Sequence, residues 1–368
     1  MLVGFFVAIL AAFGVILPLS ALALPEKELA SSFESQVRPF FEGQFSFGSF
    51  QGIGGLTLRY AKREAPAKPQ RRFSSIPPGE RGLNEMSNQR GILVLVKGRT
   101  EFLTKYAELL YDLRDLPLSV YILDLRGQGL SDRLLPEQDK GYVANFQDYA
   151  DDLSIFIDTV VKPEPRQPLL MLTHSMGGTV ATLYANSHSG RVSGMILCAP
   201  MLGINTKPFP VSVARLLAQG ASILGFGTAY VPGGGPYDSA KPFASNDVTH
   251  SQARFTLNQK LVAETPANAL GSPTYGWVHQ AFAGMDRISS DHRNLTMPVL
   301  LLQAGADTVV DNKVESGFCS DLPACTLVEM VGARHEILME EDIIRNRAID
   351  LIREFLERQI SPAKERQP

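Results

Sequence analysis

The feature that most constrains this chain is a series of strand-length apolar runs that alternate with helical patterns from residue 91 onward. Residues 92–96 read Ile-Leu-Val-Leu-Val, 169–172 read Leu-Leu-Met-Leu and 299–302 read Val-Leu-Leu-Leu. A strand that is apolar on both faces has to be covered on both, the condition of a parallel sheet sandwiched between helices. Further strands are expected at 118–123, 192–197 and 326–330, and helical spacing appears at 103–113, 146–161 and 176–186. This alternation predicts an α/β fold with a mainly parallel, doubly wound sheet. Ahead of it, residues 26–41 read as an amphipathic lead-in, and 44–60 as a hairpin that adds two strands. The rhythm lapses from 201 to 295, then resumes and ends in a helix with Ile344, Ala348, Leu351, Ile352 and Phe355 on one face. The lapse falls between the sixth and seventh strands and reads as a lid over the sheet's carboxyl edge, where open α/β sheets bind ligands. The core then comprises 91–200 and 296–360, with an N-terminal lead-in, hairpin and exposed excursion over 25–90 and a tail over 361–368.

Of the 368 residues, 45% are hydrophobic and 20% charged, ample for a core of this size. A formal net charge of -3 without a basic stripe argues against a nucleic-acid partner. The short basic cluster of Lys68, Arg71 and Arg72 lies in a Pro- and Ser-containing stretch and reads as a solvated linker. Residues 2–24 carry no charged side chain and approach the length that spans a bilayer. Pro18 and the small-x-small site Ala21-Leu22-Ala23 favour a signal peptide over a retained anchor, although no Lys or Arg precedes the run. Either way the catalytic part is expected to be exported, periplasmic or attached to the membrane by this N-terminal segment. Cys198, in an apolar run, reads as an inert core thiol. Cys319 and Cys325 bracket a short loop and are expected either to pair in an oxidising compartment or to remain two free thiols. Their spacing is not a zinc pattern.

Chemistry enters at Thr173-His174-Ser175-Met176-Gly177-Gly178, between a buried strand and a helix. A bare S-x-G match is weak, but strand, sharp turn and helix together describe a nucleophile elbow that lifts a serine clear of the sheet. The helix beginning at Met176 offers free N–H groups to an oxyanion. Thr173 stands where the elbow pattern has glycine, and its β-branched side chain is expected to strain the turn. The acid should follow the next-to-last strand and the base the last one. Asp307 lies just beyond 299–302, whereas the competing Asp311 is expected to cap the next helix. His335 lies just beyond 326–330, a position the other five histidines lack. Ser175, Asp307 and His335 are therefore the expected nucleophile, orienting acid and base of acyl transfer. One oxyanion donor is expected to be the Met176 N–H. The second is expected from Lys97-Gly98-Arg99-Thr100 after the 92–96 strand, with the Arg99 N–H favoured. The turn Asp124-Leu125-Arg126-Gly127-Gln128-Gly129 reads as structural.

With these segments located, the chain resembles the bacterial lysophospholipases of the α/β-hydrolase superfamily, close to the monoacylglycerol lipases. Over roughly 91–360, the resemblance is carried by Gly98-Arg99-Thr100-Glu101, Lys105-Tyr106-Ala107-Glu108-Leu109, Asp124-Leu125-Arg126-Gly127-Gln128-Gly129, His174-Ser175-Met176-Gly177-Gly178 and Gly332-Ala333-Arg334-His335-Glu336. Asn246-Asp247-Val248-Thr249-His250-Ser251 and Gly271-Ser272-Pro273-Thr274-Tyr275-Gly276-Trp277 resemble the lysophospholipase branch in particular. The resemblance implies an α/β-hydrolase fold, Ser175, Asp307 and His335 as triad, and cleavage of an acyl ester of a single-chain lipid at a membrane surface without metal or organic cofactor. A monoacylglycerol lipase or other carboxylesterase is the alternative, and an inactive lipid-binding protein of the same fold is the alternative from another class. Phe209, Leu216, Leu217, Ile223, Phe226 and Tyr230 could wall an apolar acyl slot or form the lid's own core.

Overall fold

Eight strands form one sheet in the computed structural model, which describes residues 23–65 and 91–361. They are β1 (Ser46–Gln51), β2 (Thr57–Arg63), β3 (Gly91–Val96), β4 (Leu118–Leu123), β5 (Leu169–His174), β6 (Gly194–Cys198), β7 (Val299–Ala304) and β8 (Cys325–Met330). The spatial order is β1-β2-β4-β3-β5-β6-β7-β8. Pairing is parallel from β4 through β8, whereas β1–β2 and β2–β4 are antiparallel. This is the mainly parallel sheet expected from the apolar runs, in the arrangement that the resemblance to α/β-hydrolases implies. Strands β3 to β7 are buried along their whole length, as a sheet covered on both faces requires. The hairpin runs three residues longer than its alternation indicated, because Ala61, Lys62 and Arg63 pair with β4.

Residues 1–22, which hold nearly all of the expected export segment, lie outside the described residues, as do 66–90 of the expected excursion and 362–368 of the tail. Among the described residues no helix is long and apolar enough to cross a membrane. The lead-in is helical through Leu29–Ser32, Phe33–Val37 and Arg38–Gln44, burying Leu29, Phe33, Val37 and Phe41 at four-residue intervals. That spacing places them on one helical stripe.

Helices α1 (Ala107–Asp112), α2 (Gln147–Phe156) and α3 (Met176–Ser187) follow β3, β4 and the elbow. Between β6 and β7 lie α4 (Val211–Ala221), α5 (Gln252–Glu264) and α6 (Tyr275–Asp291). This segment is not uniform. Helix α6 buries Trp277, Phe282, Met285 and Ile288 and packs against α3 as part of the layer flanking the sheet. Helix α4 buries only Ala218 and contacts α6. The chain closes with α7 (Asn312–Asp321) and α8 (Asp342–Ile360), the latter tied to α1 by the ion pair between the buried Arg345 and Asp112, 2.7 Å apart.

Candidate active site

Six parallel strands end on one edge, and the chemistry-bearing residues stand there. Ser175 follows β5 directly and has φ 50° and ψ −120°, a strained backbone that nucleophile elbows impose. Its N–H donates to the Cys198 carbonyl and its carbonyl accepts from Gly178 and Met201, so neighbouring elements hold the strain in place. The elbow needs glycine at 177: a Cβ there would lie 1.9 Å from the Val96 carbonyl oxygen. Thr173 does not carry the strain its β-branching led us to expect. It is an ordinary buried strand residue paired with Val96 and Leu197, and its hydroxyl donates to the Ile196 carbonyl at 3.1 Å. The turn begins two residues later, so Thr173 is outside it.

The Ser175 hydroxyl lies 2.9 Å from Nε2 of His335, and Nδ1 of His335 lies 2.8 Å from Oδ2 of Asp307. The other Asp307 oxygen accepts the N–H groups of Val309 and Val310. Burial pushes the Asp307 carboxyl up, but the hydrogen bond and charge of His335 and those two N–H groups outweigh it and hold it below its usual range. Asp307 is thus a fixed anion, aligned to keep Nδ1 protonated and Nε2 free to accept. Asp311 instead caps α7, accepting the Lys313 N–H at 2.9 Å.

Around a possible oxyanion the loop after β3 is informative. The Gly98 N–H donates to Glu101 and the Thr100 N–H to Gln128. Between them, the Arg99 N–H has no acceptor among the described residues, and the Met176 N–H opens α3, where no intrahelical partner exists. Lys97 and Asp124 form a buried pair at 2.9 Å, and Arg126 bridges Asp148 and Asp152, so the turn after β4 is structural.

Sequence reasoning missed two carboxylates. Glu101 accepts from Gly98, from Tyr106 and from Nδ1 of His174, while Lys105 bridges it to Glu336 beside His335. Nε2 of His174 faces the His335 carbonyl at 3.2 Å. Burial lowers the His174 pKa, but Glu101 and Glu336 raise it beyond that. Both ring nitrogens therefore face acceptors, as a protonated imidazole would. The second carboxylate, Glu340, binds the loop that carries His335 to residues 246–251. Its only sequence signal was its short distance from His335.

Above the triad lies a cavity of about 530 Å³. Met201, Ile204, Phe209, Leu217, Val248 and Val278 supply apolar wall, and Ser175 and His335 also line it. Of the six residues offered for an acyl slot, Phe209 and Leu217 line it; Leu216, Ile223, Phe226 and Tyr230 do not. A larger open groove of about 780 Å³ between residues 25–30 and α5 is lined by none of the triad residues.

Comparison with known proteins agrees with this geometry. The family described as serine aminopeptidase, S33, matches residues 87–342. The chain belongs to this serine hydrolase family. Lysophospholipase L2 of Escherichia coli is 37% identical over 282 residues, covering 75% of this chain and 83% of that one. The probable lysophospholipase L2 of Haemophilus influenzae is 32% identical over 322 residues, 88% of this chain and 95% of that one. A monoglyceride lipase structure from Saccharomyces cerevisiae, in complex with a substrate analog, shares the S33 member's fold with a TM-score of 0.63 at 18% identity, covering 86% of this chain and 95% of its own.

Proposed function

We propose that this protein hydrolyses the acyl ester of a lysophospholipid through an acyl-enzyme on Ser175. The observation that carries the proposal is the serine–imidazole–carboxylate chain, with contacts of 2.9 and 2.8 Å, at the floor of a cavity walled by apolar side chains. His335 takes the Ser175 proton as Oγ attacks the carbonyl, and Asp307 stabilises the imidazolium. The N–H groups of Met176 and Arg99 receive the oxyanion. His335 returns the proton to the leaving glyceryl oxygen, and then activates water to release the fatty acid and restore Ser175. None of these steps requires a metal or organic cofactor. The relatives named lysophospholipase L2 support the substrate class.

Two neighbouring readings belong with this one. The segment between β6 and β7 acts as a lid, because α4 and its flanks overhang the cavity that Phe209 and Leu217 line. Its outer side turns Leu216, Ile223, Leu224 and Phe226 to solvent, each 61–76% exposed. An apolar patch of that kind at the mouth of a lipid-binding cavity fits docking on a membrane surface. Export is supported by the Ala21-Leu22-Ala23 site and by the disulfide between Cys319 and Cys325.

Fluorophosphonate labelling and fatty-acid release together test the reading. Wild type should label and should release fatty acid from lysophosphatidylcholine faster than from a monoacylglycerol of the same chain. Ser175→Ala should do neither. Labelling that survives in Ser175→Ala would overturn the assignment of the nucleophile, and a preference for monoacylglycerol would overturn that of the substrate.

A further inference from the structure

Arg99 lines the Ser175 cavity, and its guanidinium has no carboxylate partner among the described residues. Several buried arginines have acids at hand: Arg126 meets Asp148 and Asp152, Arg254 meets Glu108 and Asp342, and Arg345 meets Asp112, whereas Arg63, which does not line the cavity, has no ion pair among the described residues. Arg99 has no ion pair among the described residues. Its Nη2 donates to the Gly271 carbonyl, its Cζ lies 5.4 Å from the centre of the Trp277 ring, and its Nε is buried without a partner. Burial pushes its pKa down to about 10, and the groups that partly offset this are the phenols of Tyr149 and Tyr230. Leaving a cation in such a place is costly unless something brings an anion to it.

The seat under Arg99 is built for it. Gly141 and the segment Gly271–Trp277 close around the guanidinium, and a Cβ at 141 would lie 2.2 Å from Nη2. Thr274 holds that segment in place by bonding the Gly141 carbonyl and capping α6. The contacts to Gly271 and Trp277 fix the plane of the guanidinium, while Nη1 bonds no described residue. Lys207 adds a second cation to the cavity lining, whereas the lining carboxylate of Glu336 is neutralised by Lys105 at 2.8 Å. The cavity is therefore cationic in a chain whose net charge is -3.

We propose that the Arg99 side chain receives the phosphodiester of the substrate's head group, with Ser175 at the acyl ester on the other side of the glycerol. The proposal rests on the lysophospholipase reading and deepens it. It gives Arg99 two roles on one residue, with the N–H serving the oxyanion and the guanidinium selecting a substrate that carries phosphate. It also gives a function to the Gly271–Trp277 segment, which the triad alone leaves unused.

The test compares kcat/KM on lysophosphatidylcholine and on a monoacylglycerol of the same chain, in wild type, Arg99→Met and Arg99→Lys. Losing a charge-assisted hydrogen bond should lower the ratio of the two values roughly ten- to a hundredfold in Arg99→Met, with partial recovery in Arg99→Lys. Glycerophosphocholine should inhibit hydrolysis of a neutral chromogenic ester in wild type, and less so in Arg99→Met. Equal losses on both substrates would show that Arg99 only anchors Gly271, and would overturn the proposal. So would inhibition by inorganic phosphate as strong as that by glycerophosphocholine with an unchanged ratio, since the site would then bind anions without selecting the lipid. Should Arg99→Met fail to fold, Arg99→Gln removes the charge while keeping a donor for the Gly271 carbonyl, and an unchanged ratio there would also overturn it. A wild type that cleaves monoacylglycerol but no lysophospholipid would instead bring down the functional reading, and this proposal with it.

Discussion

The carboxylate of Glu340 accepts the backbone N–H of Arg334, the residue before His335, at 2.7 Å. Glu340 is fully buried, and it also accepts the N–H of Glu341 and both the N–H and the ring Nδ1 of His250. From the other side, the Arg334 guanidinium donates to the carbonyls of Asn246 and Thr249, and the Glu336 N–H donates to the Val248 carbonyl. The segment 246–251 thus grips the histidine loop on both sides of His335. Glu340→Gln should destabilise the fold by about 1–3 kcal/mol, because an amide puts a donor against backbone donors. It should also lower kcat about tenfold with KM nearly unchanged, since the base is displaced while the cavity wall stays. Steady-state kinetics alongside thermal unfolding reads both, and an unchanged kcat would show that the grip does not reach His335.

Asp307 is the anion that keeps His335 in the tautomer the reaction needs. Asp307→Asn should preserve the fold and lower kcat by roughly three to four orders of magnitude. Ser175→Ala, His335→Ala and the double variant should be about equally inactive, because the pair acts as a unit. A double variant far worse than either single one would contradict that unit, and damage confined to Asp311→Asn would move the acid elsewhere.

The sheet and the triad were legible in the sequence for a common reason. Strands covered on both faces announce themselves as apolar runs, and acyl-transfer residues stand at strand ends. The supports were not legible in this way. Glu101 and Glu340 act on backbone groups that are distant in sequence, and nothing in a carboxylate's local surroundings tells a buried anchor from a solvated acid. Nor did the sequence show that Tyr275–Asp291 packs on α3 while α4 does not, since both helices have apolar stripes. Thr173 was misread because the glycine of the pattern suggested a position inside the turn, whereas Thr173 is still in strand register with Leu197.

Thr173→Gly should therefore lower stability and leave acylation intact. The change removes the bond to the Ile196 carbonyl, some buried side-chain volume and a residue suited to strands. A loss of about 1–3 kcal/mol is expected by denaturant unfolding. Burst-phase acylation by a chromogenic ester should be unchanged, and a slower burst in folded protein would show that the hydroxyl serves the elbow.

Leu216, Ile223 and Leu224 are more than two-thirds exposed on one side of the α4 region. Replacing all three with serine should weaken co-sedimentation with phospholipid vesicles several-fold, because that binding follows the apolar area buried in the interface. Hydrolysis of a short, soluble chromogenic ester should change little, as these residues do not line the cavity. Equal vesicle binding by variant and wild type would place the docking face elsewhere.

Glu315 sets a pH dependence of stability that can be worked out in sign. Its side chain is fully buried in α7, with Oε2 accepting from Gln303 at 3.1 Å and Oε1 without a partner. Burial raises its pKa, the Gln303 bond lowers it somewhat, and the charges of Asp307 and Asp311 raise it again, to about 8. In the unfolded chain the same carboxyl titrates near 4.5. Below about 4.5 both states hold the proton, and the group has no effect on the slope. From there to about 8 the unfolded chain has released the proton while the fold retains it, so stability falls as pH rises. Above about 8 the fold carries a buried charge beside the acid of the triad, a penalty on the order of a few kcal/mol. Glu315→Gln keeps the neutral shape and cannot ionise. It should match wild type at pH 4.5 and become progressively more stable than wild type toward pH 8.5. Urea unfolding of both proteins across that range measures the difference, and parallel curves would mean that Glu315 is ionised in the fold at neutral pH.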